Sequence, residues 1–200
     1  MDDRSNIKED QKMKIVSLLG SPRTKGNSAT IANRFTETAK KLGAEVRTFE
    51  LNKLSYRGCQ GCYACKKKLD HCVLKDDLTE VLEAVREADV VLLASPVYYG
   101  DITSQLKAFI DRSFSYLKPD FHSNPEPSRL APKKLVFVIS QGNSDETLFA
   151  DIFPRYERFL KWLGFHDTRL IRACGIGPTA DGVPEKVLQQ AEEAALALKS

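Results

Sequence analysis

Five short apolar runs, each followed by a stretch with helical periodicity, constrain this chain more than any other feature. The runs are Ile15–Leu19, closed by Gly20, then Val46–Leu51, Val90–Ala94, Leu135–Ile139 and Arg169–Ala173. Between and after them, apolar residues recur at three- and four-residue spacing: Ile31, Phe35, Ala39 and Leu42; Leu78, Val81, Leu82 and Val85; Leu106, Phe109, Ile110, Phe114 and Leu117. A long apolar helix is expected from Leu148 to Leu163, started late or kinked by Pro154, and Val187, Leu188, Ala191, Ala195 and Leu198 complete the pattern. Periods of two and 3.6 alternating in this way imply β–α units, and β–α units imply a parallel sheet covered by helices on both faces. At 200 residues and 42% hydrophobic composition the chain can bury such a core in one domain. The expected organisation is a polar tail over 1–12 and one domain over 13–200.

The strand patterns also order the sheet. Strands buried on both faces read as continuous apolar runs, whereas edge strands tolerate alternation with charges. The first, third and fourth runs are continuous; the second and fifth, Val46-Arg47-Thr48-Phe49-Glu50-Leu51 and Arg169-Leu170-Ile171-Arg172-Ala173, alternate. The order 2-1-3-4-5 puts the alternating pair at the edges, while 3-2-1-4-5 would expose Val90–Ala94. The expected fold class is therefore α/β, a flavodoxin-like three-layer αβα sandwich around a five-stranded parallel sheet of order 2-1-3-4-5. Its switch point lies between strands one and three, where open α/β sheets bind ligands. The loops at that point are 20–28 and 95–102.

Gly20-Ser21-Pro22-Arg23-Thr24-Lys25-Gly26-Asn27-Ser28 runs from a buried strand into a helix. Unpaired N–H groups at a helix start, with hydroxyls from Ser21, Thr24, Ser28 and Thr30, form a phosphate cradle. Two competing motifs fail on spacing. A nucleotide-hydrolysing loop needs four residues between its glycines and then Lys, but five intervene here and Asn27 follows Gly26. No G-x-G-x-x-G begins at Gly20, and Gly175-Ile176-Gly177-Pro178-Thr179-Ala180 carries a proline with no helix expected before Pro184. The plainer reading of the loop is a capped helix start with Asn27 or Ser28 as N-cap.

With Gly20-Ser21-Pro22-Arg23, Gly26-Asn27-Ser28, Ser95-Pro96-Val97-Tyr98-Tyr99-Gly100 and Lys107-Ala108-Phe109-Ile110-Asp111-Arg112, the chain resembles the NAD(P)H-dependent FMN reductase-like flavoproteins from Lys12 to the last helix. The resemblance implies that Ser21, Arg23, Gly26, Asn27, Ser28 and Ala29 hold an FMN phosphate. It places Pro96, Val97, Tyr98, Tyr99 and Gly100 along the flavin ring, with Gln141, Gly142 and Asn143 approaching the other side. NAD(P)H is the implied co-substrate, and a homodimer or homotetramer the implied assembly. An aromatic-rich stretch from Phe109 to Phe121, followed by the proline-rich segment 118–132, offers an interface or a lid.

Four of the five cysteines, Cys59, Cys62, Cys65 and Cys72, crowd into the long connection 52–77. A C-x2-C-x2-C run is the shape that wraps a cubane cluster, whereas structural zinc usually takes two more widely separated pairs. The segment is similar to that of the iron–sulfur flavoproteins, whose cysteines in this loop bind a [4Fe-4S] cluster. Cluster-free members of the wider family carry a similar C-x2-C-x2-C…C-x3-Asp-Asp segment, so reduced or redox-active thiols remain the alternative, with Asp76 or Asp77 capping the helix at Leu78. Loops leaving strands on the same sheet edge bring this segment near the flavin only if it folds back or reaches a neighbouring subunit.

Lys66-Lys67-Lys68, with Arg57 and Lys75, makes the segment basic, which either solvates it or offsets thiolate charge. Cys174 reads as a small buried hydrophobe, and His71, His122 and His166 lack metal-ligand spacing. No Ser/His/Asp spacing or C-x5-R loop supports a hydrolase. The balance of 30 basic and 27 acidic residues argues against a nucleic-acid partner. No apolar run approaches a membrane span, and the charged start lacks an apolar leader, so a cytoplasmic location is expected. Three functions follow: an FMN-dependent oxidoreductase passing electrons from NAD(P)H to an unspecified acceptor, an iron–sulfur flavoprotein electron carrier fed by a ferredoxin-like donor, and a zinc-stabilised binding module.

Overall fold

A computed structural model describes residues 12–177 and 182–199. The expected tail falls outside these residues except for Lys12, and the string Gly175–Ala180 is described only to Gly177. Five strands, β1 (Lys14–Leu19), β2 (Glu45–Glu50), β3 (Val90–Pro96), β4 (Lys133–Ser140) and β5 (Phe165–Ala173), alternate with helices α1 (Asn27–Lys41), α2 (Ala64–Lys67), α3 (Leu78–Glu87), α4 (Ser104–Arg112), α5 (Ile152–Trp162) and α6 (Glu185–Leu196). The strands form one sheet in the order β2-β1-β3-β4-β5, and every neighbouring pair is parallel.

The continuous apolar strands hide a period of two that only the layers reveal. Val91 and Leu93 of β3 face a core shared with α3, α4 and α5, while Val90, Leu92 and Ala94 face α1 and α6. Both sides need apolar residues, so β1, β3 and β4 alternate between two cores rather than between core and solvent. The edge strands β2 and β5 are exposed along much of their length, Arg47 and Arg169 among their exposed residues. Truncating a fully buried residue such as Phe137 removes contacts worth about 3–5 kcal/mol.

Several boundaries differ from expectation. Helix α1 begins at Asn27 with Gly26 as N-cap and no side-chain cap, so neither Asn27 nor Ser28 caps it. Helix α5 starts at Ile152, which leaves Pro154 in the first turn. There the missing N–H has no intrahelical acceptor to lose, so the proline delays the helix without kinking it. Strand β5 begins at Phe165 because Gly164, at φ +95°, turns the chain out of α5 in a single residue. Its first half, His166-Asp167-Thr168, is exposed edge and carries no alternation. Leu51 belongs to a 3-10 turn after β2, and Leu198 to one after α6.

The connection 118–132 is irregular, tied by a Leu117–Ser128 bridge and by Arg129 N–H on the Tyr116 carbonyl (2.7 Å). The aromatic stretch before it is spent internally: Phe109 is buried, and Phe114 packs edge-on against Phe121 at 5.5 Å. Among the described residues no helix is long and apolar enough to cross a membrane.

Candidate functional site

At the carboxyl ends of β1, β3 and β4 lies a cavity of about 400 Å³, at the switch point. It is lined by Ser21, Arg23, Gly26, Asn27 and Ser28 from the loop after β1, by Pro96, Val97 and Tyr98 after β3, and by Gln141 and Gly142 after β4. Three stretches far apart in sequence thus meet as expected. Ser140, Ile176 and Gly177 also line the cavity and were not anticipated.

The first wall is built by close approach. Gly20 N–H donates to the Ala94 carbonyl (2.8 Å), and a Cβ on Gly20 would stand 2.7 Å from Thr103 Oγ1. The chain then turns tightly: Arg23 N–H donates to Ser21 Oγ (3.1 Å), and Gly26 N–H to the Arg23 carbonyl (3.1 Å). The first-turn N–H groups of Asn27, Ser28 and Ala29 lack intrahelical acceptors and point out of the positive end of α1. Ala29 contributes at most through its backbone, since its side chain is buried in the core. Thr30 differs from expectation: its hydroxyl donates to the Gly26 carbonyl (3.2 Å) and serves the helix. Asn27 Nδ2 donates to the Gly177 carbonyl (2.6 Å), while Asn27 Oδ1 is buried with no partner among the described residues. A buried unpaired acceptor costs about 1–3 kcal/mol, which a ligand hydroxyl or N–H would recover.

The second wall is a two-residue turn. Tyr98 N–H donates to the Asp101 carbonyl (2.8 Å) and Asp101 N–H to that of Tyr98 (3.1 Å), with Tyr99 at φ +50° and Gly100 at φ +84°. Two positive φ values in succession are the signature of a type I′ turn. Tyr98 faces the cavity. Tyr99 and Gly100 do not line it, because the turn points Tyr99 fully into solvent. Asp101 fixes the far side: its carboxylate accepts from Ile102 N–H (2.7 Å) and the Tyr156 hydroxyl (3.0 Å) and pairs with Arg155 (3.3 Å). Burial, together with that bond to Asp101, pushes the Tyr156 phenol above its ordinary range.

In the third wall Gln141 is fully committed. Its N–H donates to the Ala173 carbonyl (2.8 Å), its Nε2 to the carbonyls of Asn143 and Asp145 (3.0 Å each), and its Oε1 accepts from Arg172 Nη2 (2.7 Å). Gln141 therefore shapes the turn, and Gly142 is the residue of the trio whose backbone faces the cavity unencumbered by a side chain. Asn143 does not line the cavity; its Oδ1 accepts from Asp145 N–H (2.8 Å). Arg172, unanticipated, also donates to the carbonyls of Glu146 (2.7 Å) and Leu148. The available signal was a cation at the very end of an edge strand, beside the site.

A second cavity, of about 700 Å³, lies across the same turn, with Asp101 in its wall where Tyr98 stands in the first. All four crowded cysteines line it, together with residues of α4 and α5, so segment 52–77 folds back over those helices. Cys59 and Cys62 are exposed, Cys65 and Cys72 half-buried, and all are free thiols. As they stand, no three potential ligands among the described residues are drawn together into a metal-holding group. The donor set is nevertheless the all-thiolate one that cubane clusters use, converging on one space.

Cations anchor the segment. Lys66 turns inward, donating to the carbonyls of Phe114 (2.5 Å) and Leu117 (2.8 Å) over the Phe114 ring, 3.7 Å from Cys65 Sγ. Burial lowers the Lys66 ammonium pKa, and the neighbouring Cys65 opposes that shift. Lys67 and Lys68 stay in solvent. Arg129 reaches the Cys65 carbonyl (3.2 Å). Tyr56 donates to the Gln105 carbonyl (2.9 Å), and burial pushes its phenol up to about 12. Asp77 is the N-cap residue of α3, yet its side chain accepts from Ser55 N–H (2.7 Å); the Leu78 N–H is taken by Asp76 (3.2 Å). Cys174 is half-exposed rather than buried, and desolvation still raises its thiol pKa.

The chain is similar to several known proteins. The model of the family described as NADPH-dependent FMN reductase matches residues 13–149. An iron-sulfur flavoprotein of Archaeoglobus fulgidus is 40% identical over 104 residues, covering 52% of this chain and 47% of that protein. One from Methanosarcina thermophila is 38% identical over 109 residues, covering 54% and 56%. The chain spans about half the length of the curated relatives it matches. Among solved structures, an NAD(P)H:quinone oxidoreductase from Methanothermobacter marburgensis superposes with a TM-score of 0.75 at 22% identity, covering 94% of this chain and 97% of that one, a likeness of fold.

Proposed function

The chain belongs to the NADPH-dependent FMN reductase family, and from that premise we propose that it is an FMN-dependent oxidoreductase passing electrons from NAD(P)H to a second acceptor. The observation that carries this reading is the switch-point cavity, where a helix start, a type I′ turn and a glycine turn converge around a buried unpaired acceptor. Asn27, Ser28 and Ala29 offer N–H groups to a phosphate, with Ser21, Arg23 and the closed turn at Gly26 shaping the cradle. Asn27 Oδ1 offers an acceptor to the chain between phosphate and ring. Pro96, Val97 and Tyr98 on one side and Gly142 on the other form a slot for a flat aromatic group, which Tyr99, Gly100, Gln141 and Asn143 support from outside. When bound, FMN supplies hydride acceptance and onward electron transfer. No side-chain acid or base is required.

The four thiols on one cavity favour a second component in the same protein: Cys59, Cys62, Cys65 and Cys72 holding a [4Fe-4S] cluster that exchanges single electrons. Two relatives named iron-sulfur flavoprotein fit that component, as does a ferredoxin-like donor beside the nicotinamide. Zinc on these thiols is the competing occupant. A cytoplasmic location suits a chain whose five cysteines are all free. Phe159 and Trp162, both exposed, suit a homodimer or homotetramer, read by light scattering. The absorption spectrum of anaerobically purified protein, with metal analysis, tests the whole reading. Flavin bands bleached by NAD(P)H support the oxidoreductase, and iron with sulfide supports the cluster. A colourless protein that leaves FMN fluorescence unquenched removes the first; zinc in place of iron removes the second.

A further inference from the structure

Arg112, at the end of α4, is 1% exposed, and it pairs with Asp76, which lies outside that helix. Its Nη1 contacts both carboxylate oxygens of Asp76 at 2.6 Å and the Arg57 carbonyl at 3.3 Å; its Nη2 donates to the Leu74 carbonyl (3.2 Å). Arg57 lies two residues before Cys59, and Leu74 two residues after Cys72. Asp76 closes the circuit by accepting from Arg57 N–H (3.2 Å). One guanidinium thus joins both flanks of the cysteine segment at its base and fastens them to the wall of the cavity that the thiols line.

Stability alone is a poor reason for this arrangement. A buried ion pair generally contributes little beyond what an apolar pair of similar size would give. Arg112 also leaves its Nε buried without a partner among the described residues, a cost an apolar side chain would avoid. What an apolar pair could not do is hydrogen-bond two carbonyls on opposite flanks of one loop. We propose that Arg112 is a positioning residue for the four thiols, holding the segment closed so that Cys59, Cys62, Cys65 and Cys72 face one space. This rests on the reading that those cysteines act as a set.

The test compares wild type with the double variant Arg112→Met/Asp76→Leu, which removes both charges together and so avoids stranding one. Three readouts are taken: alkylation rates of Cys59 and Cys72 in the metal-free protein by peptide mapping, iron and sulfide content with the cluster spectrum after anaerobic reconstitution, and FMN affinity. The expected result is alkylation of Cys72 roughly tenfold faster through local opening, iron well below the about four per chain of a cubane, and FMN affinity unchanged. Arg112→Lys, which keeps the charge but loses the fork, is expected to fall between the two. If the double variant does not fold, Asp76→Asn carries the same readouts. Wild-type alkylation rates together with a wild-type cluster spectrum overturn the proposal. Wild type that takes no iron overturns the cluster reading instead, and the alkylation rates then decide the clamp by themselves.

Discussion

Replacing Gly26 by Ala tests the phosphate loop where steric and conformational effects separate. Gly26 sits at φ −79°, ψ 170°, extended backbone open to any residue, so alanine brings no torsional strain. Its Cβ would stand 3.1 Å from Arg23 Cβ, 3.2 Å from the Arg23 carbonyl and 3.5 Å from Ser21 Oγ. Those contacts require a shift of a few tenths of an ångström, directed at the turn that the Gly26–Arg23 hydrogen bond closes. Arg23, Thr24 and Lys25 are exposed, so the loop can yield without disturbing the core. The free protein should lose less than about 1 kcal/mol, partly offset by the lower entropy of the unfolded alanine chain, or under about 4 °C in melting temperature. The cradle fares worse. Losing one charge-assisted bond to a phosphate costs about 1.5–3 kcal/mol, which raises the FMN dissociation constant roughly ten- to a hundredfold. Quenching of FMN fluorescence in a titration of the apoprotein reads this directly, with Gly58→Ala, where an added Cβ meets nothing, as the control. A folded Gly26→Ala protein that binds FMN as wild type does would mean that the phosphate is held elsewhere.

Three further outcomes follow from the same geometry. Arg172→Met frees Gln141 and the carbonyls of Glu146 and Leu148, so FMN affinity should drop roughly tenfold with little change in helix content by circular dichroism. Gly20→Ala forces a Cβ to 2.7 Å from Thr103 Oγ1 and 2.9 Å from Leu106 Cβ, and the cost of about 1–3 kcal/mol should appear in denaturant midpoints with or without FMN. Burial works against ionisation of Asp76, but the bonds from Arg112 and Arg57 prevail and hold its carboxyl below the usual range. A depressed carboxyl contributes stability that is complete above its unfolded value and lost as pH falls through the folded one. Accessibility of Cys72 to a thiol reagent that works in acid should stay flat from neutrality to the ordinary carboxylate range and rise only below it. A rise centred near pH 6 would contradict the pairing.

The parts of the fold visible in the sequence were those where one physical cause dominates. Strands β1, β3 and β4 are buried on both faces and left apolar runs, interrupted in β1 only by the buried Ser17; α1 and α3 left clear helical stripes. Strand β5 starts earlier than its pattern because its first half lies on an exposed edge, where nothing selects alternation. The site divides along the same line. That loop 20–28 and the segment from Pro96 to Tyr98 meet at one cavity was legible, because strand order alone carries both to the switch point. Gln141, Arg112 and Arg172 were not legible as supports. Their partners lie 31 and 36 residues away, at Gln141 for Arg172 and Asp76 for Arg112, and a lone arginine carries no local trace of the carbonyls it will meet. For the cysteine segment, strand order leaves two routes, folding back or reaching a neighbouring subunit, and the inward turn of Lys66 depends on carbonyls supplied by residues 114 and 117.

The most direct test of the account is the experimental structure of the protein with FMN. The phosphate is predicted beside the N–H groups of Asn27, Ser28 and Ala29, with the ring between Pro96–Tyr98 and Gly142 and the cysteine cavity left to other occupants. A flavin lodged among Cys59, Cys62, Cys65 and Cys72, or bound away from the switch point, would contradict it.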